Sequence, residues 1–189
     1  EKTIVSVVNQ LYKNVELIII DGGSSDGTLE VIRKYEKDIS CWVSESDHGI
    51  YDAMNKGIAI ASGRWINFLN AGDSFLNLEV LRKINFNRTE SAVLVGNVKY
   101  ESGRDFKSLR HPMMLKNSIH HQGAFYSRKS FNDLGLFIIH YRILADYHFN
   151  FKCLKNGFIF VPLNLTVALC SDRGVSDTPN WINYKEEIE

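Results

Sequence analysis

No CxxC pair occurs in this sequence, and its three cysteines and six histidines show no metal-finger spacing, which argues against a structural zinc site. Cys41, Cys153 and Cys170 are odd in number and far apart, a poor basis for a disulfide framework. Cys41 stands beside Trp42 and Cys153 beside Leu154, so buried free thiols in a reducing compartment are expected. Charge of one sign is also missing. Lys plus Arg and Asp plus Glu number 22 each, so no net field draws the chain to nucleic acid or anionic lipid. No apolar run approaches bilayer-spanning length and no signal peptide opens the chain. The expected location is the cytoplasm, with the inner membrane face as an option through regions outside this chain.

What is present is ordinary for a soluble globular protein, with 44% hydrophobic and 23% charged residues. The 189 residues suit a single domain with a substantial core. Glu1 to Tyr12 reads as an amphipathic helix, with Ile4, Val7, Val8 and Leu11 on one side and no capping signal before it. An opening in mid-helix is expected of a segment cut from a longer chain, one lacking its first strand.

Val15 to Ile20 is a short apolar run rich in β-branched residues, the pattern of a strand buried on both faces. It ends in the turn Asp21-Gly22-Gly23-Ser24-Ser25-Asp26-Gly27, before a helix over about 28–35. Cys41 to Ser44 is a second strand, followed by the loop Glu45 to Gly49 and a helix over Ile50 to Ala61. Arg64 to Leu69 is a third strand, opening onto Asn70-Ala71-Gly72-Asp73. A helix over Leu78 to Ile84 and a strand over Ala92 to Tyr100 follow. Later come a helix over Ala145 to Asn156, with Tyr147, Phe151 and Leu154 on one face, and a strand over Phe158 to Val161.

Strand, loop and helix alternate three times in the first half, which implies an α/β fold on a mostly parallel, Rossmann-like sheet with helices on both faces. All three polar loops follow the carboxyl ends of strands, the edge at which open α/β sheets bind ligands. The glycines at 22 and 23 do not form GxGxxG, so a dinucleotide site is disfavoured.

The stretch Ile18 to Thr28 resembles the DGSxDGT signature of family 2 glycosyltransferases. Ser44 to Gly57 looks like that family's second nucleotide-binding segment, and Phe68-Leu69-Asn70-Ala71-Gly72-Asp73 stands where the family carries its metal-binding DxD. His121-Gln122, Ala145-Asp146-Tyr147 and Gly174-Val175-Ser176 are similar to the acceptor-side pattern of members that build bacterial surface polysaccharides. Order and spacing agree from Thr3 to Ser176.

The resemblance implies a GT-A fold, with a nucleotide-binding half over about 1–100 and an acceptor half over about 101–180. It implies an inverting transfer of sugar from a nucleotide-sugar donor to a saccharide or lipid-linked saccharide. Asp21, Gly22, Asp47, Tyr51, Asp52, Asn55, Lys56 and Asn70 would then line the donor, and His121 and Gln122 the acceptor side. Asp73 would ligate Mn²⁺ or Mg²⁺, since hard cations take carboxylate and phosphate oxygens. Asn70 and Gly72 stand where further carboxylates of the motif are expected, which thins that site. Asp146 would be the catalytic base, a position equally suited to capping the helix it opens. Asp26 is read as a turn residue, Lys56 equally as a solvated lysine, and Arg173 as a surface arginine. Two other readings remain: a sugar-phosphate nucleotidyltransferase, and a non-catalytic module that binds sugar nucleotides.

Overall fold

The structure, a computed structural model, describes residues 1–113 and 117–172. Its elements run in chain order: α1 (Lys2–Val8), β1 (Ile18–Asp21), α2 (Thr28–Lys34), β2 (Cys41–Ser44), α3 (Ile50–Ile60), β3 (Trp65–Ile66) and β4 (Ser74–Phe75). Then follow β5 (Ala92–Tyr100), β6 (Asp105–Phe106), β7 (Ala124–Ser127), α4 (Arg128–Leu134), α5 (Ala145–Lys155) and β8 (Ile159–Cys170).

β1 and β2 form a parallel pair in register from Ile18 against Cys41 to Asp21 against Ser44. The remaining strands build a second sheet in the order β3-β7-β5-β8-β4, with β6 against β5. Only β5 and β8 run parallel in it. The α/β class holds, but the sheet is mixed rather than mostly parallel. The alternating βα pattern governs the first half, whereas β7 enters antiparallel between β3 and β5.

Helices cover both faces of the second sheet, and the period of two in its central strands shows why. Val93, Val95, Ala124 and Tyr126 pack with Tyr51, Met54 and Ile58 of α3 and with Phe131 and Phe149 of α4 and α5. Ala92, Leu94, Val98 and Phe125 point the other way, into a core with Val7, Val80, Leu81 and Ile84. A strand buried on both faces reads as a continuous apolar run, and β5 does over Ala92, Val93, Leu94 and Val95.

Several boundaries depart from the sequence reading. α1 ends at Val8, and Leu11 is exposed, because Gln10 leaves the helix register and is buried. Its side chain donates to Ser6 O and Asn77 O and accepts from Leu81 N. β3 covers two residues because the Asn67 side chain takes over, donating to Gln122 O and Ala124 O. The helix expected over 78–84 is a single 3-10 turn, Leu81–Lys83. α5 buries Ala145, Asp146, Phe149, Asn150 and Cys153, while Leu154 is exposed. Two polar residues on the inward face displaced the apparent apolar stripe.

The three cysteines are free, with Cys153 and Cys170 buried and Cys41 partly so. Burial pushes the Cys153 thiol up to about 12, so it is inert as a nucleophile at neutral pH.

Candidate active site

The loops after β1, β2 and β3 all come to one side of the molecule, as the alternation implies. A cleft of about 2150 Å³ opens there, lined among others by Asp47, Tyr51, Asp52, Asn70, Asp73, His121, Gln122, Tyr141, Arg142 and Asp146. Donor-side and acceptor-side candidates therefore share one space. Asp21, Gly22, Asn55 and Lys56 lie outside its lining.

Those four hold the walls from behind. Asp21 Oδ2 accepts from Gly23 N, Ser24 N and the Ser44 hydroxyl at 2.7–3.1 Å. Burial opposes the ionised form, but the bonds from Ser24, Ser44 and Gly23 outweigh it and hold the carboxyl below its usual range. A Cβ at Gly22 would sit 2.5 Å from Asp47 Oδ2, so glycine lets the β1 turn approach the β2 loop. Lys56 Nζ bonds Glu45 Oε1 at 2.8 Å and Ser46 O at 3.1 Å, stapling that same loop. Asn55 bonds both the N–H and the C=O of Phe137, pinning the 135–144 segment against α3. Asp26 accepts from Thr28 N and Oγ1, the turn role expected of it.

Asp146 sits in the first turn of α5 and is 5% exposed. Oδ1 accepts from Tyr147 N at 2.8 Å and lies 3.0 Å from the Tyr51 hydroxyl. Oδ2 lies 3.1 Å from His121 Nδ1. His121 Nε2 in turn is 3.3 Å from Asn70 Nδ2. An amide nitrogen only donates, so Nε2 is the acceptor and Nδ1 carries the proton given to Asp146. The chain Asn70–His121–Asp146–Tyr51 thus joins the β3–β4 loop to α5 and α3. Burial first, and the Asp146 charge second, push the Tyr51 hydroxyl far above its usual value, so it stays protonated.

Asp73 is buried beside this chain. Its Oδ2 accepts from Gln122 Nε2 at 2.7 Å and its Oδ1 from Ser171 N at 2.9 Å. Among the described residues no three His, Cys, Asp or Glu side chains are placed to hold a metal ion. Asp73 itself would offer a cation a carboxylate already shared with two protein donors. Arg173 and the Gly174-Val175-Ser176 motif lie outside the described residues.

Sequence reasoning named Asp146, His121, Asn70 and Tyr51 separately and missed that they touch. No local pattern reports contacts 25 to 95 residues apart. It also missed Tyr141 and Arg142, which line the cleft from a segment without periodicity.

A mixed α/β sheet with a cleft at its strand ends and two buried, hydrogen-bonded carboxylates in the cleft wall, Asp73 and Asp146, describes the site; comparison with known proteins gives the class. The model of the glycosyl transferase family 2 matches residues 1–150, and the chain belongs to that family, a family of glycosyltransferase enzymes with the GT-A fold. A "PGL/p-HBAD biosynthesis glycosyltransferase" of Mycobacterium bovis (strain BCG / Pasteur 1173P2) is 33% identical over 195 residues, covering 97% of this chain and 75% of the relative. A "UDP-Glc:alpha-D-GlcNAc-diphosphoundecaprenol beta-1,3-glucosyltransferase", WfaP of Escherichia coli, is 34% identical over 105 residues, 55% of this chain and 41% of its own length. The crystal structure of S. aureus TarS 1-349 with UDP-GlcNAc superposes with a TM-score of 0.74 at 20% identity, over 92% of this chain and 56% of that one. That likeness shows the fold, and the chain spans little more than half of the TarS fragment. No helix among the described residues is long and apolar enough to cross a membrane.

Proposed function

We propose that this protein transfers a sugar from a nucleotide-sugar donor to a hydroxyl of a saccharide or lipid-linked saccharide, inverting the anomeric carbon. The observation that carries the reading is Asp146, a buried carboxylate in the cleft wall held by donors from three elements. The acceptor O–H bond breaks as its proton passes to Asp146, the oxygen bonds the anomeric carbon, and the bond to the diphosphate breaks with its electron pair. Attack opposite the leaving group needs one base and no covalent sugar intermediate. Asp47, Asp52 and Asn70 face the donor, while Asp21, Gly22 and Lys56 fix the loops after β1 and β2 and Asn55 fixes the segment around Phe137. His121 and Gln122 face the acceptor side.

A Mn²⁺ or Mg²⁺ ion, when bound, would offset charge on the leaving diphosphate, with Asp73 as its protein ligand. The likeness to WfaP, named for UDP-Glc and a diphosphoundecaprenol-linked sugar, and to TarS with UDP-GlcNAc favours a UDP-sugar donor, and WfaP a lipid-linked acceptor. The chain would then work as one domain, a donor half followed by an acceptor half, in the cytoplasm.

Thermal denaturation with UDP-, GDP- and dTDP-sugars, with and without Mn²⁺, tests the donor. A ligand at about 100 times its Kd adds about 2.7 kcal/mol, a shift of several degrees for a chain of this size. The expected result is a rise with a UDP-sugar; no rise with any sugar nucleotide overturns the donor assignment.

Asp73→Ala is expected to abolish the Mn²⁺-dependent part of UDP affinity and leave the metal-free part intact. It also removes the carboxylate that accepts from Ser171 N and from the Gln122 amide, and a hydrogen bond to a charged group contributes about 1.5–3 kcal/mol. Calorimetric UDP binding with and without Mn²⁺ separates the two effects. Full Mn²⁺ stimulation in the variant removes Asp73 as the metal ligand.

A further inference from the structure

Tyr51 lies in the segment assigned to the donor, yet its ring is turned away into the core, against Phe137 at 5.5 Å between centroids. It is 4% exposed. Its hydroxyl ends between two acceptors, Ile143 O at 2.5 Å and Asp146 Oδ1 at 3.0 Å. A phenol has one proton to give, so it serves one of the two at a time.

We propose that Tyr51 is a positioning residue for the proposed base: its hydroxyl and the Tyr147 N–H occupy Asp146 Oδ1, which leaves Oδ2, beside His121, as the atom that takes the acceptor's proton. The inference rests on Asp146 being that base. Two acceptors for one proton suit a carboxyl that changes charge during each turnover. While Asp146 is ionised, the Tyr51 proton stabilises Oδ1. Once Oδ2 has gained a proton, Oδ1 needs a donor less, and the Tyr51 hydroxyl can rotate to Ile143 O. In both states the buried Tyr51 hydroxyl has an acceptor and Asp146 Oδ1 keeps its bond from Tyr147 N, where an orphaned donor would be costly. The Ile143 carbonyl sits in the 141–144 part of the cleft wall, so the same hydroxyl ties the acceptor-side segment to α3.

The role differs from a donor contact and from mere packing, and kinetics distinguish all three. Tyr51→Phe keeps the ring and removes the hydroxyl. UDP release from UDP-glucose or UDP-N-acetylglucosamine is measured for the wild type, Y51F, D146N and the double variant. Rates are normalised to UDP-binding sites counted by titration, so that only folded protein is compared. The expected result is a kcat loss in Y51F of roughly 10- to 100-fold, the rate equivalent of one hydrogen bond to a charged group. The KM for the UDP-sugar stays within about twofold, and Y51F adds almost nothing on the D146N background, because it acts through the carboxylate. An unchanged kcat, a KM raised in place of a lowered kcat, or the same fold-loss with and without Asp146 overturns the proposal. Normal turnover of D146N alone is a separate failure: it removes the base itself, and Tyr51's role with it.

Discussion

Asp146→Asn is expected to cut turnover by about 10²–10⁴-fold, the usual contribution of general-base assistance, while UDP affinity stays nearly intact. The substitution keeps the size of the side chain. Its amide oxygen can still accept from Tyr147 N and Tyr51, as Asp146 Oδ1 does. The amide nitrogen would then meet His121 Nδ1, which donates in the native arrangement. The imidazole can answer by changing tautomer, but its Nε2 would then donate toward the Asn70 amide nitrogen. That amide must flip in turn. A small stability loss is therefore expected beside the large kinetic one, and the two are read separately, by thermal denaturation and by UDP release at saturating donor. Product stereochemistry by NMR gives an independent check: a retained anomeric configuration, or normal turnover in the variant, removes Asp146 from the role.

The elements that could be read from sequence are those whose environment is uniform along their length. β2 and β5 have the expected boundaries because each opens on apolar residues and is bracketed by polar turns. α3 buries Tyr51, Met54 and Ile58 at helical spacing and ends one residue early. The failures cluster where a polar side chain does the work of backbone or core. Gln10 ends α1, Asn67 replaces the last bonds of β3, and Asp146 and Asn150 hide the inward face of α5. β8 runs to Cys170 rather than Val161 because β5 and β4 supply partners along its length, and pairing between distant segments has no local signature.

The site shows the same division. Its residue types could be named from sequence, because polar loops after buried strands are where ligands bind in such sheets. Which of them face the ligand could not. Asp52 lines the cleft, while Asn55 and Lys56 on the same helix hold neighbouring segments. Residues three and four apart on a helix share a face, so it is the partners other segments bring, Phe137 to Asn55 and Glu45 to Lys56, that set these side chains apart.

Gly123→Ala is expected to damage both stability and catalysis, through a contact that no rotamer change can relieve. Gly123 closes the 3-10 turn His121–Gly123, and a Cβ there would lie 2.6 Å from Gly96 O and 3.0 Å from Val98 Cγ2. Gly96 O already accepts the Ser108 hydroxyl at 2.7 Å. Behind it, Gly96 itself has no room to retreat, since a Cβ at that position would meet Val167 Cγ2 at 2.4 Å. The turn must therefore lift from β5, carrying His121 away from Asp146 and Gln122 away from Asp73. Overpacking of this kind costs typically 1–3 kcal/mol, roughly 2–4 °C in Tm for each kcal/mol at this chain length. Turnover measured well below Tm should fall further, about 10²-fold, because a shift near 1 Å in a positioning group costs that much. Gly57→Ala is the contrasting arm. Its Cβ would meet nothing nearer than Ile20 Cγ1 at 3.6 Å, and inside α3 alanine is favoured over glycine by about 0.5–1 kcal/mol. The same one-methyl change is thus expected to raise Tm at 57 and lower it at 123. Wild-type turnover in Gly123→Ala would show that the turn's seat on β5 does not set the geometry of His121 and Asp146.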